Sequence, residues 1–268
     1  MTYKSLMVHF DLSPGAFTRL KLARSLAGRL EARLIGFCAA ETGEPLTVSA
    51  ALPSPLLDER REDFKRCFQG LEHTFNRQVA GLPIEWRSDL CPPVDFAAIN
   101  GRAADVIIVG RTLEADAEPG FYLSPGPLIM TAGRPVLVVP PGVDALSADR
   151  IVVAWKDGRH ARSAIQQALP MLVGASEVIV VGVGEEVDEQ QLEDVCSYLR
   201  LHQAPAAPRW HGLGRQTAAE VIIAEARRAG ADLIVAGGYG RGRLLEWALG
   251  GVTEDLLAMS PVCCLLAH

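Results

Sequence analysis

The segment Ala104-Asp-Val-Ile-Ile-Val-Gly110 returns in the second half of the chain as Ala231-Asp-Leu-Ile-Val-Ala-Gly237. Two further pairs keep the same order. Pro135-Val-Leu-Val-Val139 answers Pro261-Val-Cys-Cys-Leu265, and Ser5-Leu-Met-Val-His-Phe10 answers Arg150-Ile-Val-Val-Ala-Trp155. A repeat of this length means two copies of one folding unit, not a short-period solenoid. The spacing from the first pair to the others is larger in the first half, which points to an insertion within Thr42 to Leu57, where Pro, Ser and small residues cluster.

Each copy alternates short apolar runs with helical patterns. Near-continuous Val/Ile/Leu strands separated by helices predict a parallel sheet covered on both faces. In the first copy, strands are expected at Leu6–Phe10, Ala32–Cys38, Ile84–Ser88, Asp105–Val109 and Val136–Val139. Helices are expected at Ala16–Gly28, about Leu56–Val79 and Val94–Ala103. In the second, strands fall at Ile151–Trp155, Val178–Val183, Arg209–Gly212, Leu233–Ala236 and Val262–Leu266. Its helices fall at Ala161–Val173, Glu189–His202 and Thr217–Ala229. The breakers Pro140-Pro141-Gly142 place a linker up to about Asp149, giving units at 1–142 and 149–268.

With 268 residues, each copy is large enough to bury its own core. Twenty-six basic against 32 acidic residues, with no basic tail, argue against nucleic acid or an anionic membrane as partner. No run is long enough to span a bilayer and the N-terminus does not read as a signal peptide, so a cytoplasmic location is expected. The six cysteines have no metal-type or CxxC spacing and read as buried small hydrophobes, Cys263 and Cys264 facing opposite sides of a strand. His9, in a buried strand, is expected to be a satisfied core polar group. No dinucleotide fingerprint, P-loop, zincin motif or nucleophile elbow is present, so no catalytic residue and no metal ligand is assigned.

The chemistry-bearing stretch follows Leu233–Ala236. The apolar run stops in Gly237-Gly-Tyr-Gly-Arg-Gly-Arg243, and a second glycine pair, Gly250-Gly251, precedes Val252 and Thr253. Glycines let backbone N–H groups approach a ligand, and a helix N-terminus favours anions. Two such clusters facing one cavity would make a phosphate nest.

At these residues the chain resembles the tandem-type universal stress proteins. That family has a five-stranded, Rossmann-like (adenine nucleotide alpha hydrolase-like) α/β domain, and its nucleotide-binding members carry Gly-x2-Gly-x9-Gly-(Ser/Thr) after the fourth strand. Gly237, Gly240 and Gly250 match this spacing; Gly251 stands where the hydroxyl residue is expected, with Thr253 two residues on. The resemblance covers both halves. It implies two tandem α/β domains, a stress-response regulator, and ATP or another adenine nucleotide, with Mg as its companion ion, bound in the second domain. The phosphates would be held by Gly237, Gly240, Arg241, Gly250 and Gly251, with Thr253 contributing if the ligand shifts. The adenine end would meet Val183 and the residues after the first strand, where Lys156 occupies the family's aspartate position and Asp157 follows.

The first half keeps no such motif: Glu114, Asp116 and Glu118 would repel phosphates, and Pro125 and Pro127 remove donors. Two functions stay open. One is a nucleotide-binding regulator, hydrolysing ATP slowly at most. The other is a scaffold acting through paired sheet edges, because family members pair through their fifth strands; here that would give an internal pseudo-dimer, with a homodimer as a further option and the protein partner unknown.

Overall fold

The computed structural model describes residues 2–42, 54–111, 117–212, 214–238 and 251–268, with side chains described from residue 57 in the segment that begins at 54. The expected insertion between Thr42 and Leu57 therefore falls largely outside the described residues.

In the first half the elements run β1 (Ser5–His9), α1 (Ala16–Leu30), β2 (Arg33–Ala39), α2 (Ser54–Gln78), β3 (Ile84–Asp89), α3 (Pro93–Asn100), β4 (Val106–Gly110), α4 (Pro125–Thr131) and β5 (Val136–Val139). The second half follows with β6 (Arg150–Trp155), α5 (Arg159–Leu172), β7 (Glu177–Val183), α6 (Glu189–Leu201), β8 (Ala206–His211), α7 (Ala218–Ala229), β9 (Leu233–Gly237), α8 (Gly251–Met259) and β10 (Cys263–Ala267). Among the described residues the ten strands form one sheet in the order β3-β2-β1-β4-β5-β10-β9-β6-β7-β8. Each half is thus a parallel five-stranded sheet of order 3-2-1-4-5. The halves join where β5 and β10 run antiparallel, with Val138 opposite Cys264 and Val136 opposite Leu266.

The alternation of side chains along each strand divides the core in two. One apolar layer runs the length of one sheet face, from Leu6 and Val8 with Leu20 and Ala23 of α1 and Phe68 and Phe75 of α2 in the first half to Ile165 of α5 and Cys196 of α6 in the second. The layer on the other face holds Met7, Phe96 of α3 and Leu128 of α4 in the first half and Ile222 of α7 and Leu256 of α8 in the second. Cys263 and Cys264 divide between these faces as strand geometry demands, and burial pushes both thiols up, to about 12 and about 11.

Local sequence signals set several boundaries. Thr217 and Glu220 form a reciprocal capping box that starts α7. The short helix α4, absent from the sequence reading, begins with Pro125 in its first turn, where a missing N–H costs nothing. Strand β8 starts at Ala206, earlier than expected, because Pro208 is tolerated on an edge strand. The connection between the halves is pinned: Asp232 accepts from the Ser147 and Ala148 amides and the Ser147 hydroxyl, and Leu146 is buried.

His9 departs from its expected role. It is buried against Phe37, with ring centroids 5.1 Å apart, yet its Nε2 has no hydrogen-bond partner among the described residues. Its Nδ1 lies 3.9 Å from Asp11, too far for a hydrogen bond. Strand packing turns Nε2 towards a place where no described residue supplies it a partner, while Nδ1 faces Asp11.

Candidate functional site

β6 and β9 are neighbours, in register from Ile151–Leu233 to Ala154–Ala236. From β6 the chain leaves through α5 towards β7; from β9 it leaves through α8 towards β10, on the opposite face and in the opposite direction. Such a divergence opens a crevice at the carboxyl ends of the two strands, the usual ligand position in doubly wound sheets. The residues at its mouth are Lys156 and Asp157 after β6, Gly237 at the end of β9 and Gly251 at the start of α8.

Gly237 is held by its neighbours. A Cβ there would stand 2.7 Å from the Ala161 amide nitrogen and 2.8 Å from the His160 carbonyl carbon, so the N-terminus of α5 can approach β9 only because residue 237 lacks a side chain. Gly238 donates to the Ala267 carbonyl at 2.7 Å. Gly251 differs: nothing among the described residues lies within 4 Å of where its Cβ would be. Glu254 lies in that turn and opposes an anion. Thr253 is 4% exposed, its side chain turned into the fold. Gly240, Arg241 and Gly250 lie outside the described residues.

The residues after β6 are engaged with each other's neighbours. Lys156 pairs with Glu186 at 2.5 Å, both largely exposed. Asp157 accepts from Nε and Nη2 of Arg162, one turn into α5, and lines a cleft of about 440 Å³ between α5 and α6. Val183, the last residue of β7, is half-buried against the second face of the sheet. The site residues expected from sequence thus divide between the crevice and the neighbouring helix cleft.

Two histidines not expected here stand at the same end of the sheet. The His160 ring stacks on His268, centroids 4.0 Å apart and planes 21° apart, and His268 Nδ1 lies 3.2 Å from the Gly238 carbonyl. His160 Nδ1 has no partner among the described residues, and burial, then the neighbouring His268 and Arg159, lower its pKa. Their meeting depends on β10 lying beside β9 and on α5 closing over Gly237, which no local motif announces.

The equivalent place in the first half is closed by its own side chains. Asp11 follows β1 where Lys156 follows β6, but its carboxylate is buried and takes bonds from Arg19 Nη2 and Ser13 Oγ, both at 2.7 Å. Burial raises its pKa, but the neighbouring His9 and Arg19 and these hydrogen bonds outweigh that and hold it at about 2. After β4, Arg111 reaches across to donate to the Ser260 carbonyl at 2.7 Å. Glu114 and Asp116 lie outside the described residues.

Fold and crevice together define a class: a nucleotide-type α/β domain present twice in one chain and joined through its last strands. Comparison with known proteins narrows it. Residues 182–268 match the universal stress protein family. Over almost its whole length the chain is similar to a universal stress protein from Archaeoglobus fulgidus DSM 4304, at 17% identity and a TM-score of 0.75, covering 98% of this chain and 97% of that one. It is also similar to a functionally unknown protein from Pseudomonas aeruginosa PAO1, at 14% identity and TM-score 0.59, covering 99% and 92%. No curated protein matches the sequence. The match to the family thus lies within the second half, and the chain as a whole shares its two-part fold with that universal stress protein structure. Among the described residues no helix is long and apolar enough to cross a membrane.

Proposed function

We propose that this protein is a stress-response regulator that binds ATP or another adenine nucleotide in the crevice between β6 and β9, with Mg accompanying the phosphates. The observation that carries the reading is the start of α8 at Gly251, uncrowded by any described residue and set at the point where the connections from β6 and β9 diverge. Free N–H groups at a helix start favour an anion there. Gly237, Gly240, Arg241, Gly250 and Gly251 would hold the phosphates, with Thr253 behind them; Val183, Lys156 and Asp157 would flank the base. For Lys156 and Asp157 that role requires the pairs with Glu186 and Arg162 to open. The first half would be a structural partner, making the chain an internal pseudo-dimer of units 1–142 and 149–268 with a cytoplasmic role.

The test is calorimetric titration with Mg-ATP of the parent and of Gly251→Asp. The substitution meets no described residue, so folding is expected to be retained while a carboxylate faces the phosphates. Saturable binding that weakens about tenfold or more in the variant supports the reading. No saturable binding at millimolar ATP overturns it.

The sheet edges constrain the scaffold alternative. β5 and β10 occupy each other's edges, so partners would have to use the outer strands, β3 and β8. β8 carries Pro208, which blunts that edge against strand addition.

A further inference from the structure

The glycine-rich segment leaves β9 through Gly238, and both backbone groups of this residue are held by the end of β10. Its N–H donates to the Ala267 carbonyl at 2.7 Å, and its own carbonyl lies 3.2 Å from Nδ1 of His268. A carbonyl can only accept, so His268 Nδ1 is the donor. The imidazole is backed in turn by His160, whose ring stacks on it with centroids 4.0 Å apart. Arg159 Nε donates to His160 Nε2 at 3.1 Å, which holds the second ring.

The repeat offers a comparison within the same molecule. Gly110 pairs with Val139 at the end of β4 as Gly237 pairs with Ala267 at the end of β9. Arg111 therefore stands in the place of Gly238. Its N–H donates to the Val139 carbonyl at 2.9 Å, so the backbone bond is common to both halves. The side-chain bond is not. Pro140 stands where His268 stands, and proline has no donor to offer. The turn from β1 to α1, Asp11-Leu-Ser-Pro-Gly15, contains no histidine to match His160. Both histidines thus accompany the glycine motif and are missing from the half that lacks it. The pairing of β4 with β5 shows that closing this end of a sheet does not require them.

We propose that His268 is a positioning residue of the nucleotide site, an inference that rests on the nucleotide reading above. By holding the Gly238 carbonyl, its Nδ1–H fixes the plane of the peptide unit from which the segment leading to Gly251 departs. His160 keeps the imidazole in line by stacking on it. The two rings act on the turn, and through it on the backbone N–H groups that meet the phosphates. Donors set in place before binding lose less freedom when the ligand arrives.

The experiment is calorimetric titration of the full chain with Mg-ATP, comparing the parent with His268→Asn and His268→Leu. The asparagine amide nitrogen falls near the place of Nδ1 and can donate, whereas leucine keeps bulk and loses the donor. Thermal melts without nucleotide check that all three are folded. The asparagine variant should bind within about twofold of the parent, and the leucine variant about fivefold or more weakly. A leucine variant that binds like the parent overturns the proposal. An asparagine variant as weak as the leucine one also overturns it, because the loss would then belong to the imidazole ring and not to its donor. A second measurement needs no nucleotide: nitrogen-15 imidazole spectra above neutral pH, with the His268 signals identified by their loss in His268→Asn. A ring protonated at Nδ1 supports the proposal, and one protonated at Nε2 alone overturns it. Absence of saturable Mg-ATP binding by the parent overturns the nucleotide reading and this one with it, whereas a failed rescue by asparagine leaves the nucleotide reading standing.

Discussion

Ile129, on α4 of the first half, presses against Gly238 at the end of β9 in the second: a Cβ on Gly238 would lie 2.6 Å from Ile129 Cγ2. Ile129 is 1% exposed, so it has little room to retreat. The first half thereby sets the position of the turn from which the glycine-rich segment departs. Gly238→Ala is expected to lose about 1–3 kcal/mol of stability by overpacking. Ile129→Ala alone is expected to lose about 2–5 kcal/mol. The double variant should be more stable than the sum of these losses by 1 kcal/mol or more, because the new methyl fills the space the isoleucine vacates. Urea denaturation of both single variants and the double checks this, and strict additivity would show that the two residues do not compete for the same space.

Gly237 and Gly251 belong to one sequence motif but differ in their surroundings. At residue 237 a methyl meets main-chain atoms of His160 and Ala161, which have no rotamer to change. Gly237→Ala should therefore lower stability by about 1–3 kcal/mol, with or without nucleotide. Gly251→Ala meets nothing among the described residues and starts a helix, so its stability should match or slightly exceed the parent's. Thermal melts of both variants without ligand measure the contrast. Equal melting temperatures would mean that α5 moves aside freely.

Glu31 closes α1 with φ 51°, ψ 43°, its amide bonding back to the Ala27 and Gly28 carbonyls. A side chain in this left-handed conformation costs about 1 kcal/mol that glycine avoids. Glu31 is exposed and has no role in either site. Glu31→Gly should raise stability by up to about 1 kcal/mol, the entropy of the unfolded chain taking back part of the gain. A rise in the denaturation midpoint with unchanged slope is the expected result; a fall would place the strain elsewhere.

The existence of the strands and their parallel sheet were legible because Val106–Gly110 and Leu233–Gly237 are apolar throughout, as only a doubly covered strand can be. The motif Gly237 to Gly251 likewise pointed to the end of β9. What sequence could not supply were relations made by packing. Asp157 reads as a loop carboxylate, yet Arg162 draws it to the helix cleft. His160 and His268 are far apart in sequence and meet only because β10 lies beside β9. Trp155 reads as the apolar end of a strand, and only the packed structure leaves its N–H without a partner among the described residues. α4 escaped notice because Pro125 and Pro127 look like breakers until one of them occupies a first helical turn.

The buried pair His9 and Asp11 makes stability depend on acid in two windows. Burial, with Asp11 opposing and Arg19 assisting, lowers the His9 pKa to about 4, against about 6.5 in the unfolded chain. Between these values the unfolded state binds the extra proton, so stability must fall as pH drops from 6.5 to 4. For His9 the full loss is roughly 3 kcal/mol, complete below pH 4. Asp11 acts lower: with its folded pKa at about 2, its contribution is intact above its ordinary value and is lost as pH falls towards 2. His9→Gln removes the upper window, leaving there only the smaller effect of His160, whose pKa is also lowered. Urea-unfolding free energies measured from pH 7.5 to 4.5 should therefore fall steeply in the parent and much less in the variant. Parallel curves would mean that His9 takes up its proton in the folded protein as readily as in the unfolded chain.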